Sequence, residues 1–276
     1  MKTLSPQRPG PAQFGVNLKR WRTLRRLSQL DLSLSANISQ RHLSWLETGR
    51  SQPSRAMVLQ LAEVLEVPLR SRNELLDAAG FASMYPQQGL EADAMQAVRQ
   101  ALRRMLDQQL PYPGLVVDRE WNVMMTNACA DALLQAAGAD DLWQASGSDE
   151  GQRNLALLTL HPAGLRPMLA NWNQAAHAFV QRLRADLSRS PDESLRQKTE
   201  ALIALAGDIP EPELPGAPLL PMLTLDLRLG DQLLRMFSVI STFGTPQDVT
   251  TDELRIETFF PVDDTSEQIF RSFCPD

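Results

Sequence analysis

Hydrophobic residues follow a helical spacing through most of the chain and an alternating spacing towards its end. From Phe14 to Gly80 the helical segments are short and closely punctuated. Residues 223–229 carry leucine at every second position, which is typical of a half-buried strand. Further strand-like segments lie at 115–117, 121–126, 233–243 and 254–260. The pattern predicts an all-α N-terminal part and an α+β C-terminal part with five antiparallel strands.

Two further helical regions complete the organisation. One, at 88–110, has apolar residues three or four positions apart and ends at a Pro-Tyr-Pro-Gly turn, so we interpret it as a connector. The other separates the first two strands from the last three and predicts a helical insertion. We therefore expect a multi-domain chain. Its parts are a flexible tail, a five-helix head, a connector helix and a sheet domain, at 1–12, 13–82, 83–110 and 111–276.

Composition places the chain among ordinary globular proteins. Its 276 residues are 43% hydrophobic and 22% charged, which excludes wholesale disorder and disulfide scaffolds. No apolar run approaches the ~18 residues of a membrane span, and no apolar segment follows Lys2 and Arg8 as in a secretory signal. Cys129 and Cys274 lie far apart and form no metal-ligand cluster. We expect a cytoplasmic protein without a membrane partner.

Charge is distributed unevenly along the chain. Residues 1–80 contain 12 Lys and Arg against 6 Asp and Glu, a net charge of +6. The remaining residues contain 15 against 27, a net charge of −12. A basic head on an acidic body is typical of a nucleic-acid module joined to a non-binding domain. A basic surface also suits acidic protein partners, so charge alone leaves both alternatives open.

Residues 28–50 contain two helix starts about eleven residues apart. Ser28 and Ser39 are good N-caps for two short helices. Asn37 falls where the chain must reverse, and asparagine tolerates the left-handed backbone that such a turn needs. Two capped helices joined by a three-residue turn are what a helix-turn-helix requires.

This segment resembles the Xre-type helix-turn-helix family. The shared pattern is Ser-Gln-x-x-Leu before the turn and Ser-x-x-x-Leu-Ser-x-Leu-Glu-x-Gly after it. Ser33 and Asn37 stand where the family commonly has alanine and glycine. The resemblance covers roughly residues 14–80. It also implies a structural ion pair between Arg22 and Glu47.

The same geometry predicts the DNA contacts. Gln40, Arg41 and Ser44 fall on the groove-facing side of the second helix, where glutamine suits adenine and arginine suits guanine. Gln29, at a helix N-terminus, is expected to contact a phosphate. The predicted DNA-binding residues are Gln29, Ser39, Gln40, Arg41, Ser44, Arg50 and Arg55. The alternative is that they are solvated surface residues of a helical bundle. Further along, Ser71-Arg72-Asn73-Glu74 predicts a capping box that opens a fifth helix.

Catalytic signatures are missing from the sequence. The three histidines, His42, His161 and His177, have no zinc-ligand spacing with cysteine. The sequence has no phosphate loop, dinucleotide fingerprint or nucleophile elbow. We predict a protein that is not an enzyme and needs no cofactor or metal.

The region from about Gly114 onward resembles the MmyB-like ligand-binding domain, a PAS-like fold found behind Xre-type heads in bacterial regulators. The residues that carry the resemblance are Val117–Val123, Asn127, Leu133-Leu134, Asn154-Leu155, His161–Pro167 and Trp172. The resemblance implies that the domain holds a small hydrophobic molecule, fatty-acid-like in the best analogy.

Strand alternation and aromatic residues predict where that ligand binds. Trp121, Val123 and Met125 alternate and are expected on one face of a hairpin, with Asn127 at its end as an anchor for a polar head group. The predicted ligand-binding residues are Trp121, Met125, Asn127, Trp172, Phe179, Phe237 and Phe260. The alternative is that all of them are plain core residues.

These observations together predict a bacterial transcription regulator. It binds double-stranded operator DNA as a homodimer, and a small hydrophobic ligand tunes its affinity. Residues 95–110 either form the dimer seam or dock on their own domain. A C-terminal domain that serves only dimerisation or protein-partner recruitment is the alternative, and an enzyme with an accessory DNA-binding head is a third.

Overall fold

The computed structural model describes residues 11–145, 152–188, 190–210 and 222–273. The chain forms two compact units. The first contains residues up to 88 together with 188–191 and 245–252. The second contains residues 89–187, 192–244 and 253–276. The predicted two-domain architecture, an all-α head and an α+β body, is confirmed.

Five short helices and their mutual core build the helical part of the first unit. They are α1 (Pro11–Leu24), α2 (Gln29–Ser35), α3 (Gln40–Glu47), α4 (Arg55–Val64) and α5 (Leu69–Ala78). Phe14, Leu18 and Trp21 of α1 are buried among leucines of the other four helices. The predicted tail at 1–12 lies outside the described residues except for 11 and 12. Those two residues belong to α1, whose first residue is a proline that fits this position without losing a hydrogen bond.

Side-chain caps and one close contact fix the angles between these helices. Ser28 and Ser39 cap α2 and α3 as predicted, accepting hydrogen bonds from the backbone nitrogens of Asp31 and His42. Asn37 has a φ of 50°, in the left-handed region that the turn requires. A Cβ atom on Gly15 would lie 2.5 Å from the carbonyl oxygen of Glu47, so α1 and α3 pack with their backbones in close approach.

The start of α5 differs from the prediction. The helix begins at Leu69, two residues before the expected cap Ser71, and Ser71 itself is buried within it. Pro68 precedes the helix and gives no side-chain cap. The carboxylate of Asp252 takes that role, accepting a hydrogen bond from the backbone nitrogen of Leu69 at 2.9 Å. The capping box at 71–74 was therefore wrong, because a residue distant in sequence supplies the cap.

A five-stranded antiparallel sheet forms the centre of the second unit. Its strands are β1 (Gly114–Val117), β2 (Val123–Thr126), β3 (Leu225–Leu229), β4 (Gln232–Ser241) and β5 (Arg255–Pro261). Their order in the sheet is β2-β1-β5-β4-β3, so the hairpin at 114–126 pairs with the C-terminal strand β5. The number of strands and their antiparallel pairing match the prediction.

Eight α-helices accompany this sheet in the described chain. They are α6 (Gln96–Gln108), α7 (Ala128–Ala136), α8 (Ala139–Ala145), α9 (Leu155–Leu160), α10 (Trp172–Leu187), α11 (Glu193–Leu205), α12 (Val249–Glu253) and α13 (Asp264–Phe273). The predicted helical insertion corresponds to the segment from α8 to α11. Seven of these helices belong to the second unit. The exception is α12, whose residues 249–252 belong to the first unit.

Helix α6 is part of the second unit rather than a separate connector. Its buried residues Leu102 and Leu106 share a hydrophobic cluster with Val116 of β1 and Ile256 of β5. The buried residues of the stripe are therefore not free to form a seam, although Met105 and Leu110 are exposed. Of the two alternatives for residues 95–110, the structure therefore supports docking on their own domain.

A β-bulge changes which face the residues of β2 occupy. Val117 pairs with Val123 while the neighbouring Val116 pairs with Met125, so Met124 is the extra residue. Val123 consequently packs in the core with Trp121, whereas Met125 packs with the α6 cluster on the opposite face. The prediction that Val123 and Met125 share a face was wrong because the bulge interrupts the alternation.

Candidate DNA-binding surface and ligand pocket

The second helix of the helix-turn-helix, α3, buries one side and exposes the other. Leu43 and Leu46 are completely buried in the head core. Gln40 and Arg41 are exposed and Ser44 is half-buried, so the predicted base-reading residues occupy the outer side of α3. This is the arrangement by which a recognition helix presents polar side chains to a major groove.

Arg41 stacks on a tryptophan of the same helix. Its guanidinium carbon lies 4.6 Å from the centre of the Trp45 ring, and Trp45 remains 38% exposed. A planar guanidinium held against an indole loses part of its rotational freedom before it meets a base edge. The sequence analysis missed Trp45. Its position four residues after Arg41 on an exposed helix face was the available signal.

A buried ionic network connects three of the head helices. Glu47 accepts hydrogen bonds from Arg22 Nε at 2.6 Å, Arg22 Nη2 at 3.0 Å and Gln29 Nε2 at 2.8 Å. The hydrogen bond with Glu47 raises the pKa of Arg22. The predicted ion pair between Arg22 and Glu47 is confirmed. Gln29 uses one amide hydrogen within this network, which leaves its other N–H as the donor for its predicted phosphate contact.

The remaining predicted DNA contacts lie at helix boundaries. Arg50 is exposed in the turn after α3, and Arg55 is exposed at the first position of α4. Ser39 is also exposed, with its hydroxyl engaged as the cap of α3.

The second unit contains an apolar cavity between one face of the sheet and the inserted helices. Its volume is about 410 Å³, within the range of small-molecule sites. Strands β1, β3, β4 and β5 supply one wall, and α7, α9 and α10 supply the other. The apolar residues of its lining include Leu115, Trp121, Leu133, Leu155, Leu169, Phe179, Met222, Leu227, Met236, Ile240 and Phe259.

Two predicted ligand-binding residues line this cavity. Trp121 and Phe179 meet edge to face, with ring centres 4.9 Å apart. Trp121 reaches this position from a left-handed backbone, with φ of 69°, in the turn before β2. The guanidinium of Arg255 lies 5.6 Å from the Trp121 ring.

Asn127 does not reach the cavity and instead organises the backbone around β1. Its side-chain oxygen accepts from the nitrogens of Gly114 and Ala130, and its amide donates to the carbonyls of Leu106 and Tyr112. All of its hydrogen-bonding capacity is used inside the fold. The prediction that Asn127 anchors a head group was therefore wrong.

Four other predicted ligand residues also lie outside the lining. Met125 packs with α6 because of the bulge. Phe237 and Phe260 pair across β4 and β5 and stack with ring centres 5.5 Å apart. They alternate with Met236 and Phe259, which line the cavity from the other face. Trp172 begins α10 and packs under Arg166.

Besides Thr159, the lining has three polar residues that interact with one another and form a polar corner. They are Arg182 of α10, Ser238 of β4 and Glu257 of β5. Glu257 is 7% exposed, and its Oε2 atom is buried without a hydrogen-bond partner. Burial raises the pKa of Glu257, against opposing effects from the Ser238 hydroxyl and the charges of Arg182 and Arg255.

The sequence analysis missed this polar corner. Residues 255, 257 and 259 alternate to the same face of β5, and that face is apolar at Phe259. A glutamate on the inward face of a central strand was therefore the available signal.

The described residues contain neither a metal-ligand cluster nor a membrane-spanning helix. No three His, Cys, Asp or Glu side chains there are grouped so that they could hold a metal ion. No helix in the described part of the chain is both long enough and apolar enough to cross a membrane.

Two family models match the chain, one over its N-terminal part and one over its C-terminal part. Residues 98–273 match the model of the MmyB-like transcription regulator ligand binding domain. The chain belongs to the MmyB-like transcription regulators. Residues 13–75 of this MmyB-like regulator match a helix-turn-helix domain. No curated protein matches the chain.

The family assignment gives both units a function. An MmyB-like regulator joins a helix-turn-helix domain for DNA to a domain for a small-molecule ligand. The exposed face of α3 and the cavity of the second unit are the candidate surfaces for these two functions. The chain is therefore a transcription regulator with a ligand-binding domain.

Proposed function

We propose that this MmyB-like regulator binds operator DNA with an affinity that depends on a small hydrophobic molecule held in the second unit. The observation that carries the proposal is the cavity of about 410 Å³ and its largely apolar lining. Apolar surface around such a volume favours an apolar ligand. A C-terminal domain that served only dimerisation would be expected to fill this space with side chains.

For the DNA side, we assign base reading to Gln40, Arg41 and Ser44. Exposure along one side of α3 supports the assignment, and the Trp45 ring supports a fixed orientation for Arg41. Residues at helix boundaries would hold the phosphate backbone on either side. They are Gln29, Ser39, Arg50 and Arg55.

We propose a homodimer as the DNA-binding species. Small helix-turn-helix heads read the half-sites of a palindrome, and a two-fold dimer places its recognition helices about 34 Å apart. Since α6 packs on its own domain, the dimer contact would use another surface. Light scattering at micromolar concentration tests this proposal, and a monomer both with and without operator would contradict it.

The proposal also assigns the protein to the cytoplasm and gives it no catalytic role. A regulator that binds chromosomal DNA acts in the compartment that holds the DNA. The cavity is lined largely by hydrocarbon side chains, which suit binding rather than chemistry.

Native mass spectrometry and DNA binding test the proposal together. The full chain is purified gently, weighed in its native state, and assayed on duplexes enriched from a random pool. The expected results are a retained small molecule and a severalfold change in operator affinity after it is removed by a hydrophobic resin. If the protein retains no small molecule and its operator affinity is unchanged by the resin, the proposal is contradicted. That result would favour a dimerisation domain.

A further inference from the structure

The polar corner of the cavity contains buried polar atoms that make no hydrogen bond within the protein, although one of them lies 3.6 Å from Asp186 in an ion pair. Glu257 Oε2 and Arg182 Nε are both buried, and neither has a hydrogen-bond partner. Both residues line the cavity. An unpaired buried polar atom costs about 1–3 kcal/mol, so a ligand that pairs these atoms would recover part of that cost. The orphaned atoms therefore indicate the chemistry of the ligand's polar end.

One of these atoms accepts and the other donates. The carboxylate oxygen of Glu257 accepts a hydrogen bond, and the guanidinium N–H of Arg182 donates one. A hydroxyl group does both, because its hydrogen donates while its oxygen accepts. A protonated Glu257 is also compatible with a hydroxyl, since the ligand oxygen can accept from the acid. An ionised carboxylate can only accept, so it can pair with Arg182 but pairs with Glu257 only when Glu257 is protonated.

When Glu257 is ionised, the charges around the corner are balanced without a charged ligand. Asp186 forms an ion pair with Arg255 at 2.6 Å and lies 3.6 Å from Arg182 Nε. With Glu257 ionised, these four side chains contribute two positive and two negative charges. In that state a ligand carboxylate would add an uncompensated negative charge to a largely apolar site. A hydroxyl adds no charge and is compatible with both states of Glu257.

We propose that the ligand is a neutral apolar molecule that carries a hydroxyl group, with Glu257 and Arg182 as the residues that select it. The inference rests on the proposed ligand-binding function and deepens it. It replaces a fatty-acid-like head group with an alcohol, while the apolar body of the ligand remains. Glu257 acts as the specificity-determining residue, because an acceptor at this position disfavours an anionic head.

Three probes of equal chain length separate the possible head groups. The full-length protein, freed of bound ligand on a hydrophobic resin, is titrated calorimetrically with 1-decanol, decanoate and decylamine at pH 6.5 and 8.0. We expect decanol to bind about tenfold more tightly than decanoate, the difference that one charge-assisted hydrogen bond supplies. Decanol affinity should be the same at both pH values. Decanoate should bind no more tightly at pH 8.0 than at pH 6.5, because loss of the proton from Glu257 removes a hydrogen-bond donor to its carboxylate.

Substitutions assign the selectivity to Glu257. Glu257→Leu is expected to lower decanol affinity about tenfold and to leave decanoate affinity unchanged or higher. Glu200→Gln removes the same charge from an exposed position on α11 and serves as the matched control. The decanol and decanoate affinities are compared in the unmodified protein. This comparison therefore tests the head-group preference even if Glu257→Leu does not fold.

The outcomes distinguish this inference from the proposed function. Tighter binding of decanoate or decylamine than of decanol by the unmodified protein would overturn the hydroxyl assignment and leave an apolar ligand site. An unchanged decanol affinity in folded Glu257→Leu would overturn the role of Glu257. Binding of none of the three probes would contradict the proposed function itself.

Discussion

The carboxylate of Asp252 accepts a hydrogen bond from the backbone nitrogen of Leu69, a residue 183 positions earlier in the chain, at 2.9 Å. This contact caps α5, whose preceding residue Pro68 supplies no side-chain cap. A negative charge at a helix N-terminus also interacts favourably with the helix dipole. The last helix of the head is therefore completed by a residue from the connection between β4 and β5.

Removing this cap should weaken the head. Asp252→Ala is expected to lower the free energy of unfolding by about 1 kcal/mol, since it leaves the first N–H of α5 without its carboxylate. Asp252→Asn keeps a side-chain oxygen and should recover most of the loss. Urea denaturation of both variants measures the difference, and equal stability of Asp252→Ala and the unmodified protein would refute the capping role.

The network around Glu47 should be among the most sensitive points of the head. Glu47→Ala leaves Arg22 partly buried without its partner and is expected to cost about 3 kcal/mol of unfolding free energy. Glu63→Ala, at an exposed position on α4, is the control and should change stability by less than about 0.5 kcal/mol. Chemical denaturation compares the two. If Glu47→Ala and Glu63→Ala lower the unfolding free energy by similarly small amounts, the Arg22–Glu47 ion pair contributes little to stability.

Base selectivity should depend on Arg41. Arg41→Ala is expected to cost about 1–3 kcal/mol on the preferred operator and to relax selectivity at one base position. Arg55→Ala should weaken binding to all duplexes and reduce the salt dependence by about one phosphate contact. Arg104→Ala on α6 is the charge-matched control. Equal losses on specific and random DNA for Arg41→Ala would contradict its role.

Stability should vary with pH through Glu257. Burial raises the pKa of Glu257 in the folded protein above its unfolded value of about 4.3. The folded state then holds a proton that the unfolded state has lost, so stability falls as pH rises from the unfolded pKa to the folded pKa. Glu257→Gln removes this loss. Its melting temperature should exceed that of the unmodified protein at pH 7.5, and the difference should shrink towards pH 4. A pH-independent difference would contradict the shifted pKa.

Phe179 should contribute to ligand binding where Phe237 does not. Phe179 lines the cavity, while Phe237 stacks on Phe260 on the opposite face of the sheet. Both substitutions to alanine are expected to lower stability by about 3 kcal/mol or somewhat less, since both rings are half-buried. Only Phe179→Ala should also reduce the rise in melting temperature on adding decanol. An equal reduction by Phe237→Ala would indicate that the effect reflects stability alone.

Local patterns predicted most of the fold. The caps Ser28 and Ser39, the left-handed Asn37 and the leucine alternation of β3 each depend on a few neighbouring residues, so spacing was enough to find them. The cap of α5 was missed because its acceptor, Asp252, is remote in sequence. No local pattern at 68–74 could reveal that partner.

The lining of the cavity was predicted less completely for the same reason. The cavity lies between the sheet and the helices, where a ligand was predicted to bind, and Trp121 and Phe179 line it. Met125 was misplaced because a bulge shifts the alternation by one residue, and bulges depend on strand pairing. Phe237 and Phe260 were misplaced because their aromatic character was given more weight than the face they occupy.

The allocation of residues 245–252 to the first unit has a consequence for chimeric regulators. A hybrid that joined residues 1–88 to another sensor domain would lack the Asp252 cap of α5. It would also lack Asp248, whose carboxylate accepts from the backbone nitrogen of Gln88 at 3.1 Å. The helix-turn-helix head of such a hybrid is therefore expected to be less stable than in this protein. Including residues 245–252, or an equivalent acid at the start of α5, should restore the lost hydrogen bonds.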